Sequence, residues 1–412
     1  MKVILFEDIG YKDLLPIAYF RPVWELRCGI YTLEEKIKRS YPDYELGYIA
    51  RQYLMDYYLD QEKLGNFSRK ENCLFINGRL IFDKNDINRM DSLPDNTAYL
   101  HHGEIVAFRL NQESVNNYFA DGLLNAERVL SDFKIFEDSF TLVKYPWDLI
   151  FDNSEQIVQD FMLGDFAGNL VGKVYDGCHI LGKENIFLAA NSQVMPGSVL
   201  DAENGPIWIG ENTKIMSNAV LAGPLAIGSH CLVKVGAKLY ENTSIGPVCK
   251  VGGEIEESII QGFSNKQHDG FLGHSYLGAW INIGADTNNS DLKNNYSEIS
   301  IYLNNRTIKT GKRFLGLIMG DHTKTAINTM INTGTIVGVN CNIFGKDFPP
   351  KFVPSFSWGG SDGLREYNFE KAIEVAKVVM ERRSIAFSEN DYKLFKSVKD
   401  LVSQIENRVR VS

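Results

Sequence analysis

The sequence lacks several features that identify common protein classes. None of its six cysteines forms a CxxC pair, so we expect reduced, buried thiols and neither a disulfide framework nor a cysteine zinc site. No apolar run approaches the ~18 residues that a membrane-spanning helix needs. The opening "MKVILFEDIG" turns acidic too soon for a signal peptide. We therefore expect a soluble, cytoplasmic protein.

An excess of basic residues is also missing. Lysine and arginine total 43 against 52 acidic residues, which gives a formal net charge of -9. Proteins that bind nucleic acid usually present a basic face, because phosphate contacts dominate their affinity. We therefore expect no nucleic-acid partner, although a local cluster of cations can still bind an anionic small molecule. A length of 412 residues is enough for two or three domains.

The first part of the chain alternates between two kinds of pattern. Apolar strand candidates such as "KVILF" and "NCLFINGRLIF" are separated by helical patterns such as "TLEEKIKRSY". This alternation predicts an α/β domain, which we place at residues 1–150. Residues 151–175 are then expected to form a connector that contains a helix.

The following part of the chain repeats with a period of six, which fits neither a helix nor a simple strand. Eight consecutive aliphatic residues share this spacing: Ile209, Ile215, Leu221, Ile227, Val233, Leu239, Ile245 and Val251. The period predicts a left-handed parallel β-helix over residues 176–352, a triangular prism in which three hexapeptides close one coil. An ordinary sheet protein with chance spacing is the alternative. Weaker members of the pattern are Leu181, Phe187, Gln193, Val199 and Phe271.

The period of six breaks at two places. Residues 253–270 put Glu257 where an aliphatic residue is due, and residues 286–318 are too polar for the interior of a prism. Insertions in repeat proteins usually loop out on one face, which is often the binding face. Two amphipathic patterns near the end of the chain then predict a helical segment over residues 353–412.

The stretch "GHSYLGAWINIGA" contains the strongest candidate for catalysis. A prism has no pocket of its own, so we expect a site between neighbouring prisms and hence a homotrimer. His274 lies between two coils, where an imidazole can act as a general base at neutral pH. Tyr276 and Asn282 can hold hydroxyl groups, and Lys234 and Lys250 can hold a phosphate. In the alternative, His274 is a polar corner residue and Tyr276 fills the core.

From about residue 205 to 345 the chain resembles the acetyltransferase half of the bifunctional N-acetylglucosamine-1-phosphate uridyltransferase/glucosamine-1-phosphate acetyltransferases. The family's run of histidine, Tyr-Leu-Gly and Asn-Ile-Gly-Ala is present in the stretch quoted above. The resemblance implies that His274 deprotonates a sugar amine, which attacks acetyl-CoA directly. It also implies that Tyr276 and Asn282 bind the sugar.

The resemblance extends to the phosphate and the thioester, with departures. Lys234 falls where the family has an arginine on the sugar phosphate, and Ala285 falls where the backbone meets the thioester end of acetyl-CoA. The family's paired lysines are replaced by "GGEIEES", so Lys250 or Lys266 is the expected substitute. Ile327 stands where the family has a serine. These departures imply a different amino or hydroxy sugar as the acceptor.

The N-terminal domain resembles sugar nucleotidyltransferases more faintly. "LLPIAYFRPVWELRCGI" keeps the leucine-proline and arginine-proline pairs but lacks a glycine-rich phosphate loop. The strand "LFINGRL" lacks the family's acidic ligand for Mg²⁺, and the nearest following acid is Asp83. The resemblance implies that Arg21, Arg27 and Arg79 bind nucleotide phosphate. The alternative is structural pairing with carboxylates, for which the candidates are Glu7, Glu25 and Asp83.

Three functions follow from these patterns. The leading hypothesis is a sugar-nucleotide biosynthetic enzyme. The β-helix would transfer acetyl from acetyl-CoA, and the N-terminal domain would transfer a nucleotidyl group, with Mg²⁺ as a candidate cofactor. The second is a metal-dependent lyase of the β-helix carbonic anhydrase type, with His230, His268 and His274 as zinc ligands. The third is a non-catalytic trimeric sugar-nucleotide sensor, which the missing carboxylate and the altered lysines favour.

Overall fold

The computed structural model describes residues 2–59, 73–110 and 115–406. Its first part contains ten strands: β1 (Lys2–Phe6), β2 (Arg27–Cys28), β3 (Tyr31–Thr32), β4 (Glu45–Ile49), β5 (Cys73–Asn77), β6 (Thr97–His101), β7 (Glu104–Leu110), β8 (Phe119–Ala120), β9 (Leu123–Leu124) and β10 (Lys134–Glu137). Six of them form one sheet in the order β10-β6-β7-β5-β1-β4, in which β7 is antiparallel to both neighbours. The apolar strands β1 and β5 lie in the interior of this sheet, and nearly all of their residues are buried.

Seven α-helices are present in the described residues: α1 (Leu33–Ser40), α2 (Gln52–Leu59), α3 (Lys84–Asp91), α4 (Ala126–Asp132), α5 (Pro146–Leu163), α6 (Phe369–Glu381) and α7 (Glu389–Ile405). Side-chain caps fix where several of them begin. Thr32 and Glu35 form a capping box at α1, and Ser388 and Asp391 form one at α7. No helix in the described part of the chain is both long and apolar enough to cross a lipid bilayer.

A triangular prism of parallel strands follows helix α5. Ile209, Ile227 and Ile245 pair with one another on successive coils, so that three hexapeptides close one coil. All eight aliphatic residues of the predicted repeat are buried in one continuous core. The predicted fold class, an α/β domain followed by a parallel β-helix and C-terminal helices, is confirmed.

The prism has three faces. Face I contains β11 (Lys173–Val174), β14 (Gln193–Val194), β17 (Lys214–Ile215), β20 (Leu232–Val233), β23 (Lys250–Val251), β26 (Asn265–Lys266), β33 (Lys324–Thr325), β36 (Asn342–Ile343), β38 (Ser357–Gly360) and β39 (Gly363–Glu366). Face II contains β12 (His179–Leu181), β15 (Val199–Asp201), β18 (Val220–Ala222), β21 (Lys238–Leu239), β24 (Glu254–Glu256) and β27 (Phe271–Gly273), continued by β29 (Asn288–Asn289) and β34 (Met330–Ile331). Face III contains β13 (Ile186–Leu188), β16 (Ile207–Ile209), β19 (Leu225–Ile227), β22 (Thr243–Ile245), β25 (Ile259–Gly262), β28 (Tyr276–Ala279), β32 (Leu317–Met319), β35 (Thr335–Val337) and β37 (Phe352–Val353).

Two details of the predicted repeat are wrong. The early phase was assigned one residue too soon, since Phe187, Gln193 and Val199 each directly precede an inward-facing residue. The inward positions belong to Leu188, Val194 and Leu200, while Leu181 is exposed. After the run of eight aliphatic residues, the prediction placed Phe271 in the interior of the prism. Leu272 points inward there instead.

The first predicted break does not leave the prism. Residues 253–270 continue the coils through shorter corners, and Ile255 and Ile260 take the inward positions. Lys266 is also buried there, and its Nζ donates to the carbonyl oxygens of Gly252 and His268. The second break does loop out, since residues 286–318 carry the hairpin of β30 (Ser300–Leu303) and β31 (Arg306–Lys309).

The N-terminal domain packs directly against face III. Outward-facing Ile259, Tyr276, Ile318 and Ile336 share one apolar core with that domain. A buried ion pair between Arg21 and Asp321 crosses the same contact, with Nη1 3.0 Å from Oδ1. Helix α7 joins it, since the Tyr19 hydroxyl donates to Glu406 at 2.9 Å. One face of the prism is therefore covered by the chain's own N-terminal domain.

Candidate active site

His274 lies at the corner between faces II and III, in the turn from β27 to β28. Its backbone adopts φ +44°, in the left-handed region, and its N–H donates to the carbonyl oxygen of Glu256 at 3.2 Å. The side chain is 12 % exposed. The corner therefore holds the imidazole at the surface of the prism.

The imidazole is paired with a carboxylate from the second insertion. His274 Nδ1 is 2.8 Å from Asp291 Oδ2, and the Phe314 ring stacks on the imidazole at 5.0 Å. A carboxylate can only accept here, so Nδ1 carries the proton and Nε2 keeps its lone pair. Nε2 makes no hydrogen bond to any described residue. This is the arrangement of an oriented general base, with the second nitrogen available to a substrate.

The surroundings of this pair are mainly acidic. Glu256 lies close enough to interact with His274, and burial raises the pKa of Glu256. Burial also raises the pKa of Asp152 to about 6. Lys312 Nζ lies 4.1 Å from the Phe151 ring centroid, and that ring is 6.3 Å from His274. Glu256 and Asp291 are thus two carboxylates beside the imidazole.

The structure contradicts the predicted sugar contact of Tyr276. This side chain is fully buried under the N-terminal domain. Its hydroxyl donates to Gln261 Oε1 at 2.6 Å and accepts from the backbone N–H of Arg27 at 2.9 Å. Tyr276 points outward from face III, and that face is covered, so the residue stabilises the contact between domains.

The other predicted sugar and phosphate residues lie away from His274 within one chain. Lys250 begins β23 on face I, and Lys234 directly follows β20 on the same face. Asn282 is exposed and bridges the coils of face I, and Ala285 lies in the turn that follows it. Face I does not contain the corner of His274. These residues can join one site with His274 only if two copies of the chain meet.

Two of the three predicted nucleotide-binding arginines are engaged by carboxylates. Arg21 pairs with Asp321 of the prism, and Arg79 pairs with Asp8 and Glu104. Both arginines are at least nine-tenths buried. Arg21 and Arg79 are therefore paired structurally, as the alternative supposed. Their partners are not Glu7, Glu25 or Asp83, which were the candidates from the sequence.

Arg27 differs from the other two arginines. It makes no ion pair with any described residue, and its Nη1 donates to the carbonyl oxygen of Ile30. Its Nε is buried and has no hydrogen-bond partner. Nucleotide binding by these arginines stays a prediction, and of the three Arg27 alone has no carboxylate partner among the described residues.

The carboxyl end of the N-terminal sheet does not fit a magnesium site. Glu7 accepts from Arg51 Nε and Nη2, both at 2.9 Å, and Asp8 is held by Arg79. Asp83 caps helix α3. Within the described residues no three histidine, cysteine or acidic side chains are grouped to hold a metal ion. Mg²⁺ needs unengaged oxygen ligands, and these carboxylates are already paired.

The histidines of the zinc hypothesis lie at three different corners. His230 lies between β19 and β20, His268 follows β26, and His274 lies between β27 and β28. The corners join different pairs of faces, so one chain cannot bring the three imidazoles to one ion with bonds of ~2.0–2.1 Å.

Comparisons with known proteins agree with this architecture. Residues 3–165 match the family model described as sugar nucleotidyl transferase. A bifunctional sugar-1-phosphate nucleotidylyltransferase/acetyltransferase of Sulfurisphaera tokodaii is 28 % identical over 199 residues, which are 48 % of this chain and 43 % of that protein. The bifunctional protein GlmU of Rippkaea orientalis is 32 % identical over 111 residues, which are 26 % of this chain and 23 % of that protein. The chain is therefore similar to parts of these bifunctional proteins.

The similarity is partial in extent. The chain spans less than half the length of either of those two relatives. A crystal structure of a UDP-N-acetylglucosamine acyltransferase covers 52 % of this chain and 76 % of its own at 13 % identity, with a TM-score of 0.23.

One element of the site was not predicted from the sequence. Asp291 and Phe314 come from opposite ends of the second insertion and meet at His274. The only signal was the insertion itself, because a polar loop in a repeat protein often lies on the working face.

Proposed function

We propose that the prism transfers an acetyl group from acetyl-CoA to the amino group of a sugar phosphate, with His274 as the general base. The observation that carries this proposal is the hydrogen bond between His274 Nδ1 and Asp291, which leaves Nε2 unengaged. The relationship to bifunctional nucleotidyltransferase/acetyltransferases supports the same reaction class. Its acceptor and products are part of the proposal.

The chemistry follows from the oriented imidazole. Nε2 accepts a proton from the sugar amine as the nitrogen attacks the thioester carbonyl carbon. The tetrahedral intermediate then collapses, the C–S bond breaks, and the proton passes from His274 to the leaving thiolate. The products are an N-acetyl sugar and the free thiol of coenzyme A. Asp291 holds the imidazole in the reactive tautomer throughout.

We propose a homotrimer, with the sugar phosphate bound between subunits. A threefold axis parallel to the prism keeps every coil at its own height. Lys250 and Asn282 both pair with Asn265, which belongs to the same coil as His274. They therefore lie within about one strand spacing of 4.8 Å of the height of His274. Packing of face I against the His274 corner of a neighbour brings base and phosphate ligands together, with Lys234 and Ala285 beside them.

For the N-terminal domain we infer only the class of a second reaction. The match to sugar nucleotidyl transferases favours nucleotidyl transfer to a sugar-1-phosphate. The paired carboxylates at its sheet edge disfavour the Mg²⁺-assisted form of that reaction. Because the substrates are metabolites of the cytoplasm, we also infer a cytoplasmic location.

The test is a two-part turnover assay on one preparation of the full chain. One arm supplies acetyl-CoA with glucosamine-1-phosphate and a panel of amino sugar phosphates, and follows free thiol. The other supplies Mg²⁺, UTP or dTTP and a sugar-1-phosphate, and follows pyrophosphate. We expect thiol release that His274→Ala reduces by about 10²- to 10⁴-fold, the usual contribution of a general base.

Mixed oligomers test the position of the site. Co-expression of His274→Ala with Lys250→Ala regenerates intact sites if each site uses two chains, so the mixture should recover activity that neither variant has alone. No recovery would place the whole site within one chain. Pyrophosphate without thiol would move the function to the N-terminal domain, and silence in both arms would favour the sensor hypothesis.

A further inference from the structure

The two ends of the prism differ. At the C-terminal end β39 folds back antiparallel to β38, and its residue Leu364 packs against the prism core. At the other end lies the first coil, residues 170–185, in which β11 and β12 each have a neighbour on one side only. Leu170 begins this coil and bridges to Leu188 on face III. No strand of the described residues covers the first coil, so the N-terminal end of the prism is open.

The interior of the first coil is therefore exposed. Leu170, Val174 and Ile180 pack against the prism core, yet each is only half-buried. The residues that pair with them on the second coil are at most 1 % exposed: Leu188, Val194 and Leu200. At the rim of the same coil Val171 is 62 % exposed and Leu181 is 40 % exposed. Repeat proteins usually cover such an end with a polar capping repeat, and this end has none among the described residues.

The first coil also presents backbone groups that its own strands do not use. The N–H groups of Lys173, Tyr175 and His179 donate to carbonyl oxygens of the second coil. Because successive residues of a strand direct their N–H and C=O groups to opposite sides, those of Val174 and Ile180 point away from the prism. The described part of the chain has no strand on that side. An open edge of this kind pairs readily with the edge of another strand.

The charge of the open end differs from that of the whole chain. Residues 170–185 contain two lysines and two acidic residues, so their formal net charge is zero: Lys173, Lys183, Asp176 and Glu184. The whole chain carries a formal net charge of -9, so two copies repel each other on average. An end that is neutral and apolar can approach an identical end without this repulsion.

The shape of the open end determines which partner fits it. Open strand edges surround an apolar triangle, so a matching surface needs the same edges around the same apolar centre. Within the described residues only the first coil offers such a surface, because β39 covers the other end of the prism. The first coil of a second copy, related by a two-fold axis perpendicular to the prism, presents these edges in antiparallel orientation.

We propose that two copies of the chain join end to end through their first coils. The open edges pair as antiparallel strands, and Leu170, Val174 and Ile180 of the two copies form one continuous core. The contact uses the same surface on both copies, so it closes without leading to a filament. It leaves the three faces of the prism free, so it is compatible with the proposed homotrimer and does not rest on the proposed acetyl transfer.

Sedimentation equilibrium of the full chain over a range of protein concentrations tests the proposal. We expect an even number of chains, which is six if the proposed trimer also forms and two if it does not. Ile180→Lys places a charge in the contact, where solvent reaches it only when the end is free, so this variant should have half the mass. The control is Val378→Lys, which alters an apolar residue of α6 that is 57 % exposed and should leave the mass unchanged.

Val171→Lys is a second variant, and it should also halve the mass without a loss of Tm, because its side chain is already exposed. Hydrogen–deuterium exchange reports on the edge itself. The amide of Val174 should exchange more slowly as the protein concentration rises, and both lysine variants should abolish this dependence. One or three chains in the unaltered protein, or a mass that neither variant changes, would overturn the proposal. Slow exchange that does not depend on concentration would overturn it too, since the same chain would then cover the edge.

Discussion

The carboxyl end of the N-terminal sheet and the His274 corner are both partly buried and charged, yet they differ in how their polar atoms are satisfied. At the sheet edge every named cation meets a carboxylate of the same chain, as Arg51 meets Glu7 and Arg79 meets Asp8. At the corner Asp291 engages one nitrogen of His274 and leaves the other open. Full pairing indicates a structural role, and half pairing leaves a group for chemistry.

The largest expected effect is on stability, at the sheet edge. Glu7→Gln leaves the buried Arg51 without a countercharge, and we expect the free energy of unfolding to fall by about 3–5 kcal/mol. Urea unfolding measures it. Asp132→Asn is the control, because Asp132 pairs with the exposed Arg128, where about 0.5 kcal/mol is expected. An equal loss of unfolding free energy in the two variants would show that the buried ion pair at the sheet edge contributes no more than an exposed one.

A smaller effect is expected at the corner, on turnover. Asp291→Asn removes the charge that holds the His274 tautomer, and we expect kcat to fall about 100-fold with KM and Tm unchanged. Asp291→Glu should restore part of the rate, because it restores the carboxylate. The matched control is Asp286→Asn, an exposed residue of the same insertion. A loss of Tm in place of kcat would make Asp291 a structural partner, like those of the sheet edge.

The smallest effect concerns the pH dependence of stability. Burial raises the pKa of Asp152 from 3.8 to about 6. The native state therefore binds this proton more tightly than the unfolded state does. Asp152 does not lower the free energy of unfolding below its ordinary pKa of 3.8, and it lowers that energy by the full amount above pH 6. Asp152→Asn should stabilise the protein by about 1 kcal/mol at pH 7.5, a value reduced for partial exposure, and by nothing near pH 4. Thermal melts at the two pH values measure this. The same gain at both would exclude burial of charge as the cause.

The sequence predicted the prism well because its interior accepts only one kind of residue. Each inward position between Ile209 and Val251 is closed off by neighbouring coils, so the period of six appears directly in the sequence. Outward positions carry no such signal. Tyr276 follows the family pattern, but the domain that buries it lies about 250 residues earlier in the chain. The residues around Tyr276 therefore give no indication of that contact.

The site was predicted only in part, for a similar physical reason. His274 stands within a motif, and its role as a base stays a prediction that its geometry supports. Asp291 belongs to an insertion without a period, and its position depends on how that loop folds back onto the corner. The partners of Arg21 and Arg79 depend on tertiary packing, so the sequence could suggest pairing without naming Asp321, Asp8 or Glu104.

The contact between the N-terminal domain and face III also sets the order of events during synthesis. Asp321, the partner of Arg21, is synthesised 300 residues later, and Glu406, the partner of Tyr19, is synthesised 387 residues later. At about 5–20 residues per second, the second interval takes about 20–80 s on the ribosome. Throughout that time the surface around these two side chains is exposed and apolar. We therefore expect the emerging domain to be prone to aggregation until the last helix is synthesised.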